Sequence, residues 1–203
     1  MNRLTTILIA LLLPFVAEAD WFDAIRDGDD KEALYRTLYY MPKGGDLHNH
    51  LSGAVFAEWW YELALAEKEC GYEYYTKVRI NNCRDYGGNA FKAAPYFLLF
   101  RNISALEYAQ LDDCEQGEYK PLADLDDREK AGWMNSIRLD KPWEGRDEFF
   151  QTHWQRLNAL TRNPWLQAET LVRNMEAYAE EGVVYVEYQM GASGYEGPNG
   201  ETI

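Results

Sequence analysis

The sequence feature that most constrains the fold is the segment 41–53, which reads MPKGGDLHNHLSG. Glycines precede its centre and Ser-Gly follows it, so the segment predicts a short β-strand. Side chains two residues apart on a strand project from the same face, which places His48 and His50 side by side. Two imidazoles in this arrangement can bind one metal ion between them. The sequence therefore predicts a metal site near the C-terminal end of a strand.

The same alternation predicts that Leu47, Asn49 and Leu51 face the other way, towards the layer that covers the sheet. In barrels of alternating strands and helices, active sites lie at the C-terminal ends of the strands. The H-x-H spacing alone does not select a reaction, because several groups of metal-dependent hydrolases carry it on a first strand.

Two segments of the chain resemble one family. The segment 41–54, MPKGGDLHNHLSGA, resembles the first-strand motif of the adenosine deaminases, particularly their secreted and bacterial members. The segment 181–188, EGVVYVEY, resembles the second barrel strand of that family. The resemblance implies an α/β fold, namely the N-terminal part of a (β/α)8 TIM-like barrel with a largely helical insertion at about 72–145.

The resemblance also implies a reaction, the hydrolytic deamination of adenosine or a related purine nucleoside to inosine and ammonia, with Zn2+ as cofactor. In that reaction zinc activates a water molecule, which attacks C6 of the purine while ammonia leaves. His48 and His50 match two metal ligands of the family, and His50 also matches a substrate-side position. Ser52 stands where family members commonly carry an Asp that contacts the ribose, and its hydroxyl can donate and accept a hydrogen bond.

In the family, the third histidine ligand, the acidic ligand and the glutamate that protonates the purine come from later strands. We therefore identify no catalytic residue in this chain and expect those residues downstream of Ile203. The 203 residues alone are expected to have little or no deaminase activity.

Two further residues have a structural and a functional interpretation. The remaining histidine, His153, is expected to be a structural helix residue, with a role as third ligand as the alternative. Glu187 is expected to be an inward charge held by a structural partner, with a catalytic role as the alternative.

Two other functions stay open at this stage. The string DLHNH at 46–50 also resembles the opening of the polymerase-and-histidinol-phosphatase phosphoesterases, so another H-x-H metal hydrolase is the alternative enzyme. A truncated, non-catalytic relative that binds a metal or a protein partner is the non-enzymatic alternative. Release of ammonia from adenosine, or of phosphate from a phosphomonoester, separates the two enzyme classes.

The N-terminus has the pattern of a secretory signal peptide at 1–19. Arg3 precedes an apolar run at 7–16, and Ala17-Glu18-Ala19 supplies the small residues of a cleavage site before Asp20. The apolar run is short for a membrane span, so no membrane association is expected after cleavage. The pattern predicts a secreted or periplasmic protein, with residues 20–203 forming the hydrolase portion.

Charge and cysteine content limit the partners. The formal net charge of −14 argues against nucleic acid and anionic membranes, whereas a neutral nucleoside is unaffected by it. The sequence does not set an oligomeric state.

Three cysteines in an exported chain predict one disulfide, either Cys70–Cys83 or Cys83–Cys114.

Apolar residues at helical spacing predict the helices that flank the motifs. One helix is capped by Asp29 or Asp30, a second follows Gly53 and stops near Gly71, and a third begins at Asp147. A fourth begins at Pro164 and ends at Gly182 before a strand at 183–190. The side chains expected to face inward from this fourth helix are those of Leu171, Met175, Tyr178 and Ala179.

Overall fold

A computed structural model describes residues 20–83, 97–191 and 193–203. The predicted signal peptide at 1–19 lies outside the described residues. The chain divides into two compact units, 1–43 and 44–203. Within the described ranges, every helix is too short or too polar to cross a membrane.

The first unit contains two helices, α1 (Asp20–Arg26) and α2 (Lys31–Tyr40). The predicted cap of α2 is confirmed, because the Asp30 carboxylate accepts a hydrogen bond of 2.9 Å from the Ala33 N–H. No residue of α2 is buried, and the rings of Tyr35 and Tyr39 are mostly exposed.

The second unit is a mixed α/β structure with two small sheets. Its strands are β1 (Gly45–His50), β2 (Tyr74–Lys77), β3 (Asn102–Ser104), β4 (Tyr119–Pro121) and β5 (Tyr185–Gln189). Its helices are α3 (Ala57–Ala66), α4 (Ala105–Ala109), α5 (Asp113–Gln116), α6 (Asp127–Asn135), α7 (Arg146–Glu148), α8 (Trp154–Thr161) and α9 (Pro164–Glu180). A 3₁₀ turn, Leu51–Gly53, follows β1, and a π-helical turn, Phe149–His153, joins α7 to α8.

The two predicted strands, β1 and β5, form a parallel pair that contains a bulge. Asp46 pairs with Val186 and Asn49 with Tyr188, so three steps along β1 match two steps along β5. The extra residue places Asp46 and Asn49 on the same face. The prediction that Leu47 faces the covering layer is therefore wrong, since its side chain is 67% exposed, whereas Asn49 and Leu51 are buried as expected.

The predicted insertion at 72–145 contains a three-stranded antiparallel sheet in the order β3-β2-β4. The expectation of a largely helical insertion therefore misses this sheet, although α4, α5 and α6 do lie within the insertion. Strands of three or four residues are too short to show the alternation by which a strand is recognised in a sequence. Their partners are also far apart along the chain, so no hairpin turn marks them.

The hydrophobic core lies between this antiparallel sheet and the helices, and it contains no residue of β1 or β5. Trp60 of α3, Trp133 of α6 and Leu160 of α8 are almost completely buried in it. The disulfide of the insertion is Cys83–Cys114, which decides between the two predicted pairings, and Cys70 is free and exposed. Beneath that disulfide, the side chains of Lys77 and Glu118 form a salt bridge while only 3% and 1% exposed.

The long helix α9 begins as predicted but buries a different face. Asn163 caps it by accepting from the N–H groups of Trp165 and Leu166, and Pro164 occupies its first turn. The prediction that Met175 and Ala179 face inward is wrong, because both are exposed. The buried residues of α9 are Leu166, Gln167, Thr170 and Asn174, so most of its inward face is polar.

Candidate functional site

The two histidines of β1 lie next to each other at its C-terminal end. Their Nε2 atoms are 3.1 Å apart, and both side chains are exposed. A tetrahedral zinc ion with Zn–N bonds of about 2.0–2.1 Å holds two nitrogen ligands about 3.3 Å apart. The separation in this structure is close to that value, so His48 and His50 fit two ligands of one zinc ion. The same separation fits a hydrogen bond between the rings when one imidazole carries its proton on Nε2 and the other on Nδ1.

The side chain of Asp46 fixes the backbone that presents these histidines. Its carboxylate accepts hydrogen bonds from the His48 N–H at 3.1 Å, from Asn49 Nδ2 at 2.9 Å and from the Tyr178 hydroxyl at 2.9 Å. The bond to the amide two residues ahead is an Asx turn, which is a local cause of the bulge. The Asn49 amide, followed by the His48 N–H and the Tyr178 hydroxyl, holds the pKa of the Asp46 carboxyl below its usual range.

The polar face of α9 forms hydrogen bonds with the inner face of the parallel strand pair. The Tyr178 hydroxyl binds both Asp46 and Asn49 of β1, with the Asn49 contact at 2.8 Å. One turn earlier, Asn174 accepts from the Tyr188 hydroxyl of β5 at 2.7 Å and donates to the Ala54 carbonyl at 3.2 Å. Because α9 runs antiparallel to β1 and β5, its N-terminal residues lie at the C-terminal ends of both strands.

A cavity of about 350 Å³ opens at that end of the strand pair. Two of its residues, His50 and Ser52, are the substrate-side positions predicted from the sequence. The other described lining residues come from α8, α9, the end of β5 and the segment that follows β5, and they are Trp154, Thr161, Gln167, Gln189, Met190, Gly191, Ser193 and Tyr195. In parallel sheets, the crevice outside the carboxyl ends of the strands is the usual place for a ligand.

The lining of this cavity is polar but carries no fixed charge. Among its described residues there is no Lys, Arg, Asp or Glu, and the polar groups are amides, hydroxyls and the His50 imidazole. The Trp154 ring and the Met190 side chain supply the apolar surface. The cavity therefore suits a neutral ligand with both a flat apolar face and several hydrogen-bonding groups.

One lining residue has an unused hydrogen-bonding group. Gln167 is 5% exposed, and its Nε2 is buried without a hydrogen-bond partner among the described residues. Asn49 Oδ1 is also buried without a partner in this part of the chain, but Asn49 does not line the cavity. Most buried polar groups in proteins are paired, so Nε2 of Gln167 is an exception, and it lies beneath the surface that the cavity exposes.

His153 and Glu187, the other two residues that the sequence suggested for the site, do not belong to the histidine pair. The Nε2 of His153 is 2.6 Å from the Arg138 carbonyl oxygen, to which it must donate, so this nitrogen has no lone pair for a metal. This arrangement supports the expected structural role of His153. Glu187 is exposed, lies on the same face of β5 as Gln189 and accepts from the Tyr185 hydroxyl at 2.9 Å. Its expected role as an inward charge of a barrel stays a prediction.

The third metal ligand stays a prediction from the resemblance. In the described ranges, no group of three or more His, Cys, Asp or Glu side chains is placed to hold a metal ion. No family model, curated protein or solved structure matches the chain.

The catalytic residues that the resemblance places downstream of Ile203 also stay a prediction. Ile203 itself is 59% exposed and apolar, so it offers no group for catalysis or metal binding. Its backbone N–H donates to the carbonyl oxygen of Tyr195, a lining residue of the cavity, at 3.1 Å. Ile203 therefore has a backbone contact with a residue that lines the cavity.

Sequence reasoning found His50 and Ser52 but missed the rest of the cavity. The signal was nevertheless present, because Gln167, Asn174 and Tyr178 recur on one face of a helix that was interpreted through its apolar residues. A row of polar side chains on the inward face of a helix indicates a site more strongly than the same residues on a solvated face.

Proposed function

We propose that this chain carries the metal-binding strand and one wall of the substrate pocket of an exported, zinc-dependent purine nucleoside deaminase related to the adenosine deaminases. In this proposal β1 and β5 are the first two strands of a (β/α)8 barrel, and the antiparallel sheet belongs to an insertion between them. The parallel pairing of β1 with β5, with helices between them in the sequence, supports this placement.

The observation that carries the proposal is the uncharged cavity beside the histidine pair. A nucleoside is a neutral ligand with a flat base and several hydroxyls, which matches a lining of amides, hydroxyls and the Trp154 ring. A phosphomonoester is an anion, and sites for phosphate groups are normally built from Lys, Arg or helix N-termini. The described lining has no Lys or Arg, so it favours the nucleoside over the phosphoester alternative.

The proposal gives specific roles to the residues of the chain. His48 and His50 hold the zinc ion through their Nε2 atoms, while Asp46 and Tyr178 keep the backbone of β1 in the required conformation. Zinc, when bound, lowers the pKa of water and stabilises negative charge that develops on the substrate. Ser52 lies in the 3₁₀ turn directly after β1 and offers its hydroxyl to the ligand from the cavity wall.

Export is supported by the disulfide of the insertion. The Cys83–Cys114 bond lies in the described structure, and disulfides of this kind persist in oxidising compartments. The secreted or periplasmic location, and the cleavage before Asp20, are part of the proposal. N-terminal sequencing of the exported protein is expected to read from Asp20, and a mature protein that still begins at Met1 would contradict it.

The enzymatic test uses the protein purified from its own source in its natural length and loaded with zinc, because the 203 residues alone are expected to have little or no activity. Adenosine is expected to yield ammonia and inosine, whereas a phosphomonoester is expected to release no phosphate. Phosphate release without ammonia would replace the proposal with the phosphoesterase alternative. Release of neither product would favour the non-catalytic relative that binds a metal or a partner.

The metal test is independent of turnover. We expect His48→Ala and His50→Ala each to lower the affinity of the folded chain for zinc by more than about 10-fold, because each removes one ligand. Cys70→Ser is the matched control, since it removes an exposed thiol that can bind zinc adventitiously. Equal zinc affinity in the unmodified chain and both histidine variants would remove these residues from the site.

A further inference from the structure

We propose that Asn102 is a glycosylation site in the unfolded chain only, so that an N-linked glycan on Asn102 and the native core exclude each other. Asn102-Ile103-Ser104 is the one Asn-x-Ser/Thr triplet in the 203 residues, and this triplet is the acceptor sequence for N-linked glycans. The inference concerns the folding of the chain during export. It goes beyond the proposed function, and it depends neither on zinc nor on a nucleoside.

The first step of the argument is the burial of the atom that would carry the glycan. Transfer forms a bond between Nδ2 of Asn102 and C1 of the first sugar of a lipid-linked oligosaccharide, breaks the bond from C1 to the lipid pyrophosphate and releases one amide proton. Asn102 begins β3 and is 2% exposed, as is Ile103. Glycans are carried on surface loops, so the folded chain does not present this triplet as an acceptor.

The second step is that both polar atoms of the Asn102 side chain are already in use. Nδ2 donates a hydrogen bond of 2.8 Å to the carbonyl oxygen of Arg156 in α8. Oδ1 accepts a hydrogen bond of 2.8 Å from Nε1 of Trp133 in α6, and Trp133 is 0% exposed. The Asn102 amide therefore joins β3 to two helices, at the edge of the hydrophobic core to which Trp133 belongs.

The third step is the effect of a sugar at this position. Protein interiors are close-packed, so a sugar ring on Nδ2 would have to push β3 away from α8. The Trp133 indole and the Arg156 carbonyl would then lose these hydrogen bonds, and buried polar groups without partners destabilise the folded state. In the unfolded chain the same triplet is open to an oligosaccharyltransferase. Folding and glycan transfer therefore compete for Asn102.

The first test offers a eukaryotic oligosaccharyltransferase and its lipid-linked oligosaccharide to two forms of the purified protein. The unmodified chain is folded, whereas Leu160→Asp puts a charge at a core position that is 0% exposed and keeps the chain unfolded with the triplet intact. We expect mass spectrometry to find a glycan on Asn102 of Leu160→Asp and none on the folded chain. A glycan on the folded chain, or none on either form, would overturn the inference.

The second test measures secretion from a eukaryotic cell for two variants at Ser104, which caps α4 in a capping box with Glu107. Ser104→Thr keeps the triplet, whereas Ser104→Asp removes it, and both side chains can cap the helix. Asp126 forms the same capping box with Glu129 in α6, so Asp suits this position. We expect severalfold more secreted Ser104→Asp than Ser104→Thr, with any glycan on Asn102 confined to retained protein. Secreted, disulfide-bonded Ser104→Thr that carries a glycan on Asn102 would overturn the inference.

The control exports the same two variants to the periplasm of a bacterium without an oligosaccharyltransferase. Folding has no competitor there, so Ser104→Thr and Ser104→Asp are expected in equal yield. A deficit of Ser104→Thr in the periplasm as large as in the eukaryotic cell would trace the difference to the cap of α4 and would overturn the competition during export. The proposed function is untouched by either outcome, because neither test involves the cavity or the histidine pair.

Discussion

The two sheets of the second unit differ in how their residues are covered. In the antiparallel sheet, three of the four residues of β2 are buried, and a disulfide and a buried salt bridge lie beside it. In the parallel pair, no residue of β5 is buried, and Asn49 is the one buried residue of β1. The candidate metal ligands and the cavity belong to the parallel pair. We therefore expect the stability of the unit and its candidate function to depend largely on different residues.

The largest loss of stability is expected from Glu118→Ala, which leaves the buried Lys77 ammonium without this carboxylate. Breaking a buried pair from one side typically costs about 3–5 kcal/mol, measured as the free energy of unfolding in urea. Glu62→Ala is the control, because Glu62 forms an exposed salt bridge with Arg173 and should change stability by less than about 1 kcal/mol. Similar losses in the two variants would show that burial of the Lys77–Glu118 pair beside the antiparallel sheet adds nothing to its contribution.

The next largest effect is expected from removal of the Cys83–Cys114 disulfide by replacing both residues with Ser. The bond closes a loop with a sequence separation of 31 residues, and its loss should lower the free energy of unfolding by about 3 kcal/mol. Zinc binding by His48 and His50 should be unchanged in the same variant. The control is Cys70→Ser, whose free and exposed thiol contributes no cross-link. If loss of the disulfide also lowered the zinc affinity, the antiparallel sheet and the candidate metal site on the parallel pair would not be independent.

A smaller effect is expected from Tyr178→Phe, which acts on the parallel pair. The hydroxyl donates to Asp46 and accepts from Asn49, so its removal should cost about 1 kcal/mol and raise amide hydrogen exchange at His48. Tyr185→Phe is the control, because it removes an exposed hydroxyl that bonds only to the exposed Glu187 among the described residues. It should leave both the stability and the exchange unchanged. If amide hydrogen exchange at His48 were the same in Tyr178→Phe as in the unmodified chain, the bulge would not depend on the Tyr178 hydroxyl of α9.

The smallest effect is expected at the junction between the core and α9, where Glu67 accepts from the Asn163 amide at 3.1 Å. Burial raises the pKa of the Glu67 carboxyl above its ordinary value of 4.5, with the Asn163 hydrogen bond opposing and Glu169 adding to the shift. The folded chain then binds more protons than the unfolded chain between the ordinary and the raised pKa. Stability due to this group therefore falls as the pH rises through that window.

Glu67→Gln keeps an acceptor for Asn163 and removes the charge. It should raise the melting temperature by about 2 °C at neutral pH, and this gain should vanish once the pH falls below 4.5. A thermal melt at each pH, compared with that of the unmodified chain, measures the difference. A gain that persists in acid would mean that the effect does not come from ionisation of Glu67.

The sequence predicted those parts of the fold that are determined locally. Asp30, the Asn163-Pro164 pair and Gly71 mark helix ends through their own side chains or backbone, and all three do so in the structure. The placement of His48 beside His50 was also predictable, because the two residues are two positions apart on β1 and the alternation of a strand holds between them.

The remaining features depend on contacts between residues that are distant in the sequence. The pairing of β2 with β3 and β4 joins short segments whose patterns are too brief to be recognised. The inward face of α9 was predicted from Met175 and Ala179, because apolar residues normally mark the buried side of a helix. That face is instead selected by the polar groups of β1 and β5, which pair with Tyr178 and Asn174 of α9.

The bulge in β1 also has a consequence for how this chain tolerates changes of length. Leu47 and His48 are both exposed and together lie opposite one residue of β5, Glu187, so β1 has one residue more than β5 over this stretch. Deletion of Leu47 would leave Asp46 and Asn49 on the inner face and His48 and His50 on the outer face, now with regular alternation. Elsewhere in a strand a one-residue deletion turns every side chain on one side of it to the opposite face. We therefore expect position 47 to be a point where the strand can lose a residue and keep its two candidate metal ligands in place.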